Sequence, residues 1–314
     1  MKIGFFGTPD IACTALEHLC GFHEILFVVT GEDKPAGRNR RITVCPVKSA
    51  ASCRSIPVLQ PQKLSDPDFY DILKSFEADI FVVVAYGKLI PAKIFNLPPL
   101  KTINLHPSLL PKYRGAAPVE WTLINGESET GVTVQLINEK LDAGDIVVQE
   151  KISLDSEITA GELYSKVYEI SCGLINTSIE GLAGGTIVPR VQVEAEAAYC
   201  GKISRETAKI DWNRSAHEIH NLVRGLNPKP GAWTEIEGRV VKIWRTRPII
   251  EGGDVVSGRL EPGMASVSGK KRLITGTGDG LLEILELQPE TKKPMDALSF
   301  INGHRLSERQ VYFT

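Results

Sequence analysis

Asn104-Leu105-His106-Pro107-Ser108-Leu109-Leu110-Pro111-Lys112-Tyr113-Arg114-Gly115 changes character halfway along. Its start continues the short apolar run 102–105, which reads as a strand. Asn104 and His106 are two apart on that strand and share a face. Two prolines and Gly115 then hold the following loop in a stiff path. In an open α/β sheet the carboxyl ends of strands border the ligand crevice, so both polar side chains are expected there. Asn supplies an amide donor for a developing oxyanion, and His exchanges a proton near neutral pH. A lone His beside a strand is more often structural, but the Asn-x-His pair ahead of a proline-pinned loop favours a reactive site.

The same short, continuously apolar pattern recurs at 2–6, 25–29 and 79–85. Such runs suit parallel strands covered by helices on both faces, so an α/β fold is expected. Gly4-x-x-Gly7 follows the first run, but the full Gly-x-Gly-x-x-Gly fingerprint of a dinucleotide site is missing. Two further strand-like runs, 131–137 and 145–150, flank the turn Leu141-Asp142-Ala143-Gly144. Asp142 is then a third polar group at the crevice. Turn chemistry alone explains an Asp there, and orienting His106 is the other reading. Spacing does not decide between them.

Thr159-Ala160-Gly161-Glu162 is a capping-box pattern that opens a helix with Leu163, Val167, Ile170 and Leu174 on one stripe, ending at Gly184-Gly185. Periodicity is lost over 188–207, which reads as a linker. A helix over 214–226 follows, with His217 and His220 on one face. Short strands with glycine-rich turns come next, clearest at 239–247 and 280–286. A helix followed by short strands fits a small β-barrel, an OB-fold being one option.

Apolar residues make up 42% and charged residues 24% of the 314 positions, enough to bury a proper core. No run is long enough for a membrane span or a signal-peptide core, so a cytoplasmic protein with no membrane contact is expected. The six cysteines never form Cys-x-x-Cys, so neither a zinc ribbon nor a redox pair is supported, and reduced core thiols are expected. Net charge is −2 but uneven: residues 1–200 carry 18 Lys and Arg against 24 Asp and Glu, and residues 201–314 carry 18 against 14. A basic tail on an acidic head hints at a polyanionic partner. The loop 31–48, with Lys34, Arg38, Arg40, Arg41 and Lys48, is either a solvated surface or a contact for nucleic-acid phosphates.

These blocks resemble the methionyl-tRNA formyltransferase family over essentially the whole chain. The matching pieces are GFFGTPD from Gly4, KPAGRNRR from Lys34, AYGKLIP from Ala85, NLHPSLLPKYRGAAP from Asn104, LDAGDI from Leu141 and KKPMDALSFINGHR from Lys292. The Asn-x-His…Ser-Leu-Leu-Pro block is shared by the wider formyltetrahydrofolate-using superfamily, so it fixes the one-carbon chemistry and leaves the acceptor open. The basic loop and the C-terminal piece select the tRNA branch. At 38–41 the loop reads Arg-Asn-Arg-Arg where relatives often carry a glycine and lysines.

The resemblance implies a Rossmann-like catalytic domain (1–189), a linker (190–208) and an OB-like tRNA-binding barrel (209–314). It implies a catalytic trio of Asn104, His106 and Asp142. The co-substrate 10-formyltetrahydrofolate would lie along Ser108, Leu109, Leu110 and Pro111, its pterin near Tyr86, Gly87, Leu89 and Ile90 and the 140–144 turn. The acceptor would be methionyl-initiator tRNA, held by Lys34, Arg38, Arg40, Arg41, Lys202, Lys209, Arg245 and Arg247. No metal is expected, and the chain is expected to act as a monomer. Two other readings keep parts of this: the same chemistry on a small amine, a sugar amine or water, and a non-catalytic RNA-binding protein on the same scaffold.

Overall fold

Apolar runs that bury both faces become the interior of one sheet. The strands are β1 (Lys2–Gly7), β2 (Glu24–Val29), β3 (Val58–Leu59), β4 (Ile80–Val84), β5 (Thr102–His106), β6 (Glu129–Leu136) and β7 (Ile146–Ser153). They lie in the order β7-β6-β5-β4-β1-β2-β3. Strands β1 to β5 pair in parallel, and β6 and β7 join antiparallel at one side. The computed structural model describes residues 1–36, 41–249, 260–269, 271–304, 306 and 311–314, the side chains of 34–36 and 41–43 aside.

The chain runs from β1 outward through β2 to β3, then returns to lay β4 on the other side of β1. That reversal opens a crevice at the carboxyl ends of β1 and β4, the usual ligand position in such sheets. Gly4 and Gly7 serve packing here. A Cβ on Gly4 would collide with the Phe27 ring and lie 2.7 Å from that of Phe81, and one on Gly7 would meet Ala12 at 2.6 Å. The aromatic cluster of Phe6, Phe27, Phe81 and Tyr86 fills the space the missing side chains leave.

The helix Ala160–Ala183 opens as its capping box requires, with Glu162 accepting from the Thr159 amide at 2.8 Å and the Thr159 hydroxyl accepting from the Glu162 amide at 3.3 Å. It gives way to Gly184 and Gly185, the latter at φ 65, the left-handed position glycine occupies freely. A second capping box, Ser215 with Glu218, starts the helix Ala216–Gly225. Of the two histidines expected on one face of that helix, only His220 turns inward, bonded to the Thr246 hydroxyl at 3.0 Å and donating to the Ser156 carbonyl at 3.2 Å. His217 is exposed, because residues three apart differ by about 60° around a helix and the edge of the buried stripe falls between them.

The chain forms two compact units that interleave in sequence. One holds Met1–Gly115, Glu129–Ser153 and Ser165–Tyr199, and the other Ala116–Ser128, Leu154–Tyr164 and Cys200–Thr314. The second unit is built on antiparallel strands β8 (Ala232–Ile236), β9 (Arg239–Ile249), β10 (Met264–Ser268), β11 (Arg272–Gly276), β12 (Leu281–Pro289) and β13 (Val311–Tyr312). Their order is β8-β9-β12-β11-β10-β13. An Ile236–Phe313 bridge and paired bonds between Glu235 and Thr314, each 2.9 Å, join the first strand to the last and close a barrel. Ile243, Leu273, Leu282, Ile284 and Leu287 fill its interior.

The six cysteines are free. Only Cys45 is buried, Cys53 is exposed and the other four are half-buried, so most are not the core thiols expected. Among the described residues no helix is long and apolar enough to cross a membrane.

Candidate active site

Strand β5 carries Asn104 and His106 to the carboxyl edge of the sheet on one face. The His106 Nε2–H donates to the Tyr113 carbonyl at 2.8 Å. A carbonyl only accepts, so this bond fixes the proton on Nε2 and leaves Nδ1 as the nitrogen that can gain or lose one. Nδ1 faces Asp142 Oδ2 at 3.7 Å, with the ring only 4% exposed. That distance exceeds hydrogen-bond range, so the two groups face each other without a direct hydrogen bond.

The Asp142 carboxylate is itself held at both oxygens. Oδ2 accepts from the Gly115 amide at 2.9 Å and Oδ1 from the Gln135 side-chain amide at 3.1 Å. The residue sits at φ 48 in the turn after β6, a conformation that needs outside support in a non-glycine residue. The half-buried Asn104 amide has no partner among the described residues, so its donors remain free for a ligand. The structure thus brings Asn104, His106 and Asp142 to one edge of one sheet.

The loop 107–115 is held both by its own bonds and by side chains of β6 and β7. The Ser108 hydroxyl donates to the Lys112 carbonyl at 2.6 Å, and the Thr133 hydroxyl accepts from the Leu110 amide at 3.2 Å. Gln149 donates to the Leu110 carbonyl at 2.8 Å. Ser108 and Leu110 are buried, and Leu109 and Pro111 half-buried, so this segment shapes a wall. In the 85–91 loop the Tyr86 ring lies in the core, edge-on to Phe6, with its hydroxyl buried and without a partner among the described residues. Burial raises that phenol to about 12. Gly87 and Leu89 are exposed and Ile90 half-exposed, Leu89 at 83%. The N–H groups of Gly87, Lys88, Leu89 and Ile90 make no hydrogen bond among the described residues. Exposed Leu89, unengaged amides beside it and exposed Leu141 suit a flat heterocycle with an apolar face and a polar edge.

Of the expected tRNA contacts, Arg38 and Arg40 lie outside the described residues, as do the side chains of Lys34 and Arg41. Lys202 and Lys209 are exposed. Lys209 Nζ and the Arg205 guanidinium lie 5.4 Å and 5.1 Å from the Trp233 ring centre. Arg245 and Arg247 are only loosely paired, to Glu162 at 4.0 Å and Glu283 at 3.9 Å, and remain mostly exposed.

Three residues around Asp142 carry no role in the sequence reading: Gln135, Gln192 and Arg114. Gln135 pairs with Asn104 across β5 and β6, a register that a sequence alone does not give. Gln192 lies in the aperiodic segment, where nothing marks it out.

The two units carry the two domains of a formyl transferase. The formyl transferase family matches residues 1–177, and the formyl transferase C-terminal domain matches residues 202–305. Among individual relatives, methionyl-tRNA formyltransferase of Lachnospira eligens is 40% identical over 98% of both chains. That of Thermodesulfovibrio yellowstonii is 43% identical over 99% of this chain and 98% of its own. The chain therefore belongs to the methionyl-tRNA formyltransferase family. The fold is shared with WlaRD, a sugar 3N-formyl transferase solved with dTDP and 5-N-formyl-THF, at a TM-score of 0.67 and 19% identity over 93% of this chain and 99% of that one. It is shared also with HypX from Aquifex aeolicus in complex with tetrahydrofolic acid, at 0.61 and 18% over 96% of this chain. The chain spans about half of HypX, 47% of its length.

Proposed function

We propose that the chain transfers the formyl group of 10-formyltetrahydrofolate to the free amine of methionyl-initiator tRNA, for translation initiation. The observation that carries this reading is the unengaged Asn104 amide on the same strand face as the His106–Asp142 pair. The bound folate supplies an activated formyl amide with an aniline-like leaving nitrogen. Asn104 donates to the formyl oxygen as negative charge develops there, and His106 acts at the same centre through Nδ1. Asp142 stabilises the protonated imidazole and holds its orientation. The bond formed joins the methionyl nitrogen to the formyl carbon, and the bond broken frees the folate nitrogen. Overall one proton passes from the first nitrogen to the second, and His106 is the group placed to hold it in transit. No covalent link to the protein is needed.

The 85–91 loop and the 140–144 turn would hold the folate, with 108–111 as the wall between them. The exposed cations Lys202, Lys209, Arg245 and Arg247, with the 34–41 loop, would meet the tRNA backbone. In this reading the chain works in the cytoplasm as a monomer, with a catalytic region 1–189, a linker 190–208 and a tRNA-binding region 209–314.

The decisive experiment offers 10-formyltetrahydrofolate with methionyl-initiator tRNA, elongator methionyl-tRNA and free methionine in parallel. Rapid formylation of the initiator alone is expected. Formate release, or formylation of a small amine in its place, would keep the donor and overturn the acceptor.

A further inference from the structure

Arg114 is fully buried, and a buried guanidinium persists only where its donors are met. One terminal nitrogen donates to Glu194 and to the Tyr199 hydroxyl, each at 2.9 Å. Nε and the other terminal nitrogen converge on one atom, Gln192 Oε1, at 3.1 Å and 2.9 Å. Arginine has no acceptor, so this two-pronged bond admits only the oxygen of Gln192 and turns its NH2 the other way. That NH2 meets Gly144 O at 2.7 Å, Asp142 O at 2.9 Å and Gln135 Oε1 at 3.1 Å. With its oxygen so engaged, Gln135 presents its own NH2 to Asp142 Oδ1 at 3.1 Å. The direction of every amide along this relay is set by the arginine at its far end.

The relay grips Asp142 twice, at its backbone carbonyl and, through Gln135, at its carboxylate. It does so where grip is needed. Asp142 holds a left-handed φ of 48, and a Cβ on Gly144 would collide with the Leu136 carbonyl, so the turn presses close against the end of β6. Gln192 is 7% exposed and lies between the bridge residue Arg190 and a short 3-10 helix, Glu194–Glu196.

We propose that Gln192, clamped by Arg114, is a positioning residue for formyl transfer that keeps the Asp142 carboxylate in place beside His106. The proposal rests on the reading of Asp142 as the partner of His106. It makes the segment around Gln192 part of the support of the reactive site as well as a connection.

The test compares Gln192→Met, which removes the amide, and Gln192→Glu, which keeps the shape and replaces the NH2 by an acceptor, with Asp142→Asn as reference. Steady-state formylation is measured together with the His106 titration, followed by NMR on histidine-labelled protein. Both Gln192 variants are expected to lower kcat about tenfold, the scale of one misplaced hydrogen bond, with KM for both substrates little changed. The His106 titration should move in each, and in the same direction as in Asp142→Asn. Gln192→Met added to Asp142→Asn should cost little more than Asp142→Asn alone. The variant Glu194→Gln, at an exposed partner of Arg114, should match the parent protein. A loss of melting temperature with an unmoved His106 titration and unchanged kcat would reduce Gln192 to a structural strut and overturn the proposal alone. An Asp142→Asn protein with unchanged rate and titration would overturn the reading of Asp142, and the proposal with it.

Discussion

Asn104 and His106 share a strand but differ in how the protein treats them. The imidazole is buried and bonded to the Tyr113 carbonyl, whereas the Asn104 side-chain amide has no partner among the described residues. A side chain waiting for a ligand has little to do with the fold, so Asn104→Ala should leave the melting temperature almost unmoved. Steady-state kinetics should show kcat reduced about 10²- to 10³-fold, as for loss of one preorganised oxyanion donor; a change confined to KM would remove that role. His106→Ala should lower turnover at least as strongly while tRNA binding stays nearly constant, and equal loss of both would remove the role assigned to it. Tyr86 presents the opposite case, a polar atom fully buried with no partner among the described residues. Replacing it by Phe deletes that atom and keeps the ring, so unfolding measurements should show a gain of about 1 kcal/mol. Its titration adds a sign. The folded phenol is raised from 10 to about 12 by burial, so the unfolded chain releases its proton first as pH rises. The contribution is complete below pH 10 and is lost as pH rises from about 10 to about 12. Tyr86→Phe should flatten that alkaline limb.

At the scale of elements, the turn after β6 shows how backbone geometry reaches the chemistry. Gly144 abuts the Leu136 carbonyl so closely that even a methyl group would collide, and its own carbonyl accepts from Gln192. Gly144→Ala should therefore push the turn off the strand end and displace Asp142. Formylation should fall about tenfold or more, while far-ultraviolet circular dichroism keeps its native shape; a fully active variant would show that the position of this turn does not matter. The strand and turn that carry this site were legible in the sequence. Asn104 and His106 follow from a period of two, and residues 141–144 from turn composition between two apolar runs. The start of the helix Ala160–Ala183 was legible for the same local reason, since a capping box is written within four residues. What could not be read depends on contacts between distant segments. Gln135 becomes meaningful only through its register opposite Asn104, and Gln192 only because Arg114, 78 positions earlier, is folded against it. The sequence reading likewise drew boundaries along the chain, whereas 116–128 and 154–164 pack with the barrel unit. Interleaving of that kind leaves no trace in local periodicity.

For the whole molecule, the uneven charge is the property that bears on a large polyanionic substrate. Residues 201–314 carry 18 basic against 14 acidic side chains, and Lys202, Lys209, Arg245 and Arg247 remain exposed. Arg245 and Arg247 have acids only at 4.0 Å and 3.9 Å, and such loose surface pairs hold a cation weakly, so a phosphate can replace them at small cost. If the basic residues of this region and of the 34–41 loop together meet about six phosphates, counterion release makes tRNA affinity fall about a thousandfold between 50 mM and 200 mM salt. The measurement is the slope of log affinity against log salt, by fluorescence anisotropy of labelled tRNA. Replacing Arg245 and Arg247 by Gln should reduce that slope by about one unit each and weaken initiator and elongator tRNA alike, because phosphate contacts carry no sequence information. The formyl donor is small and makes few such contacts, so its KM should vary far less over the same range. A flat slope for tRNA would mean that the charge asymmetry serves no polyanion, and the acceptor would then have to be a small amine met by the catalytic unit alone.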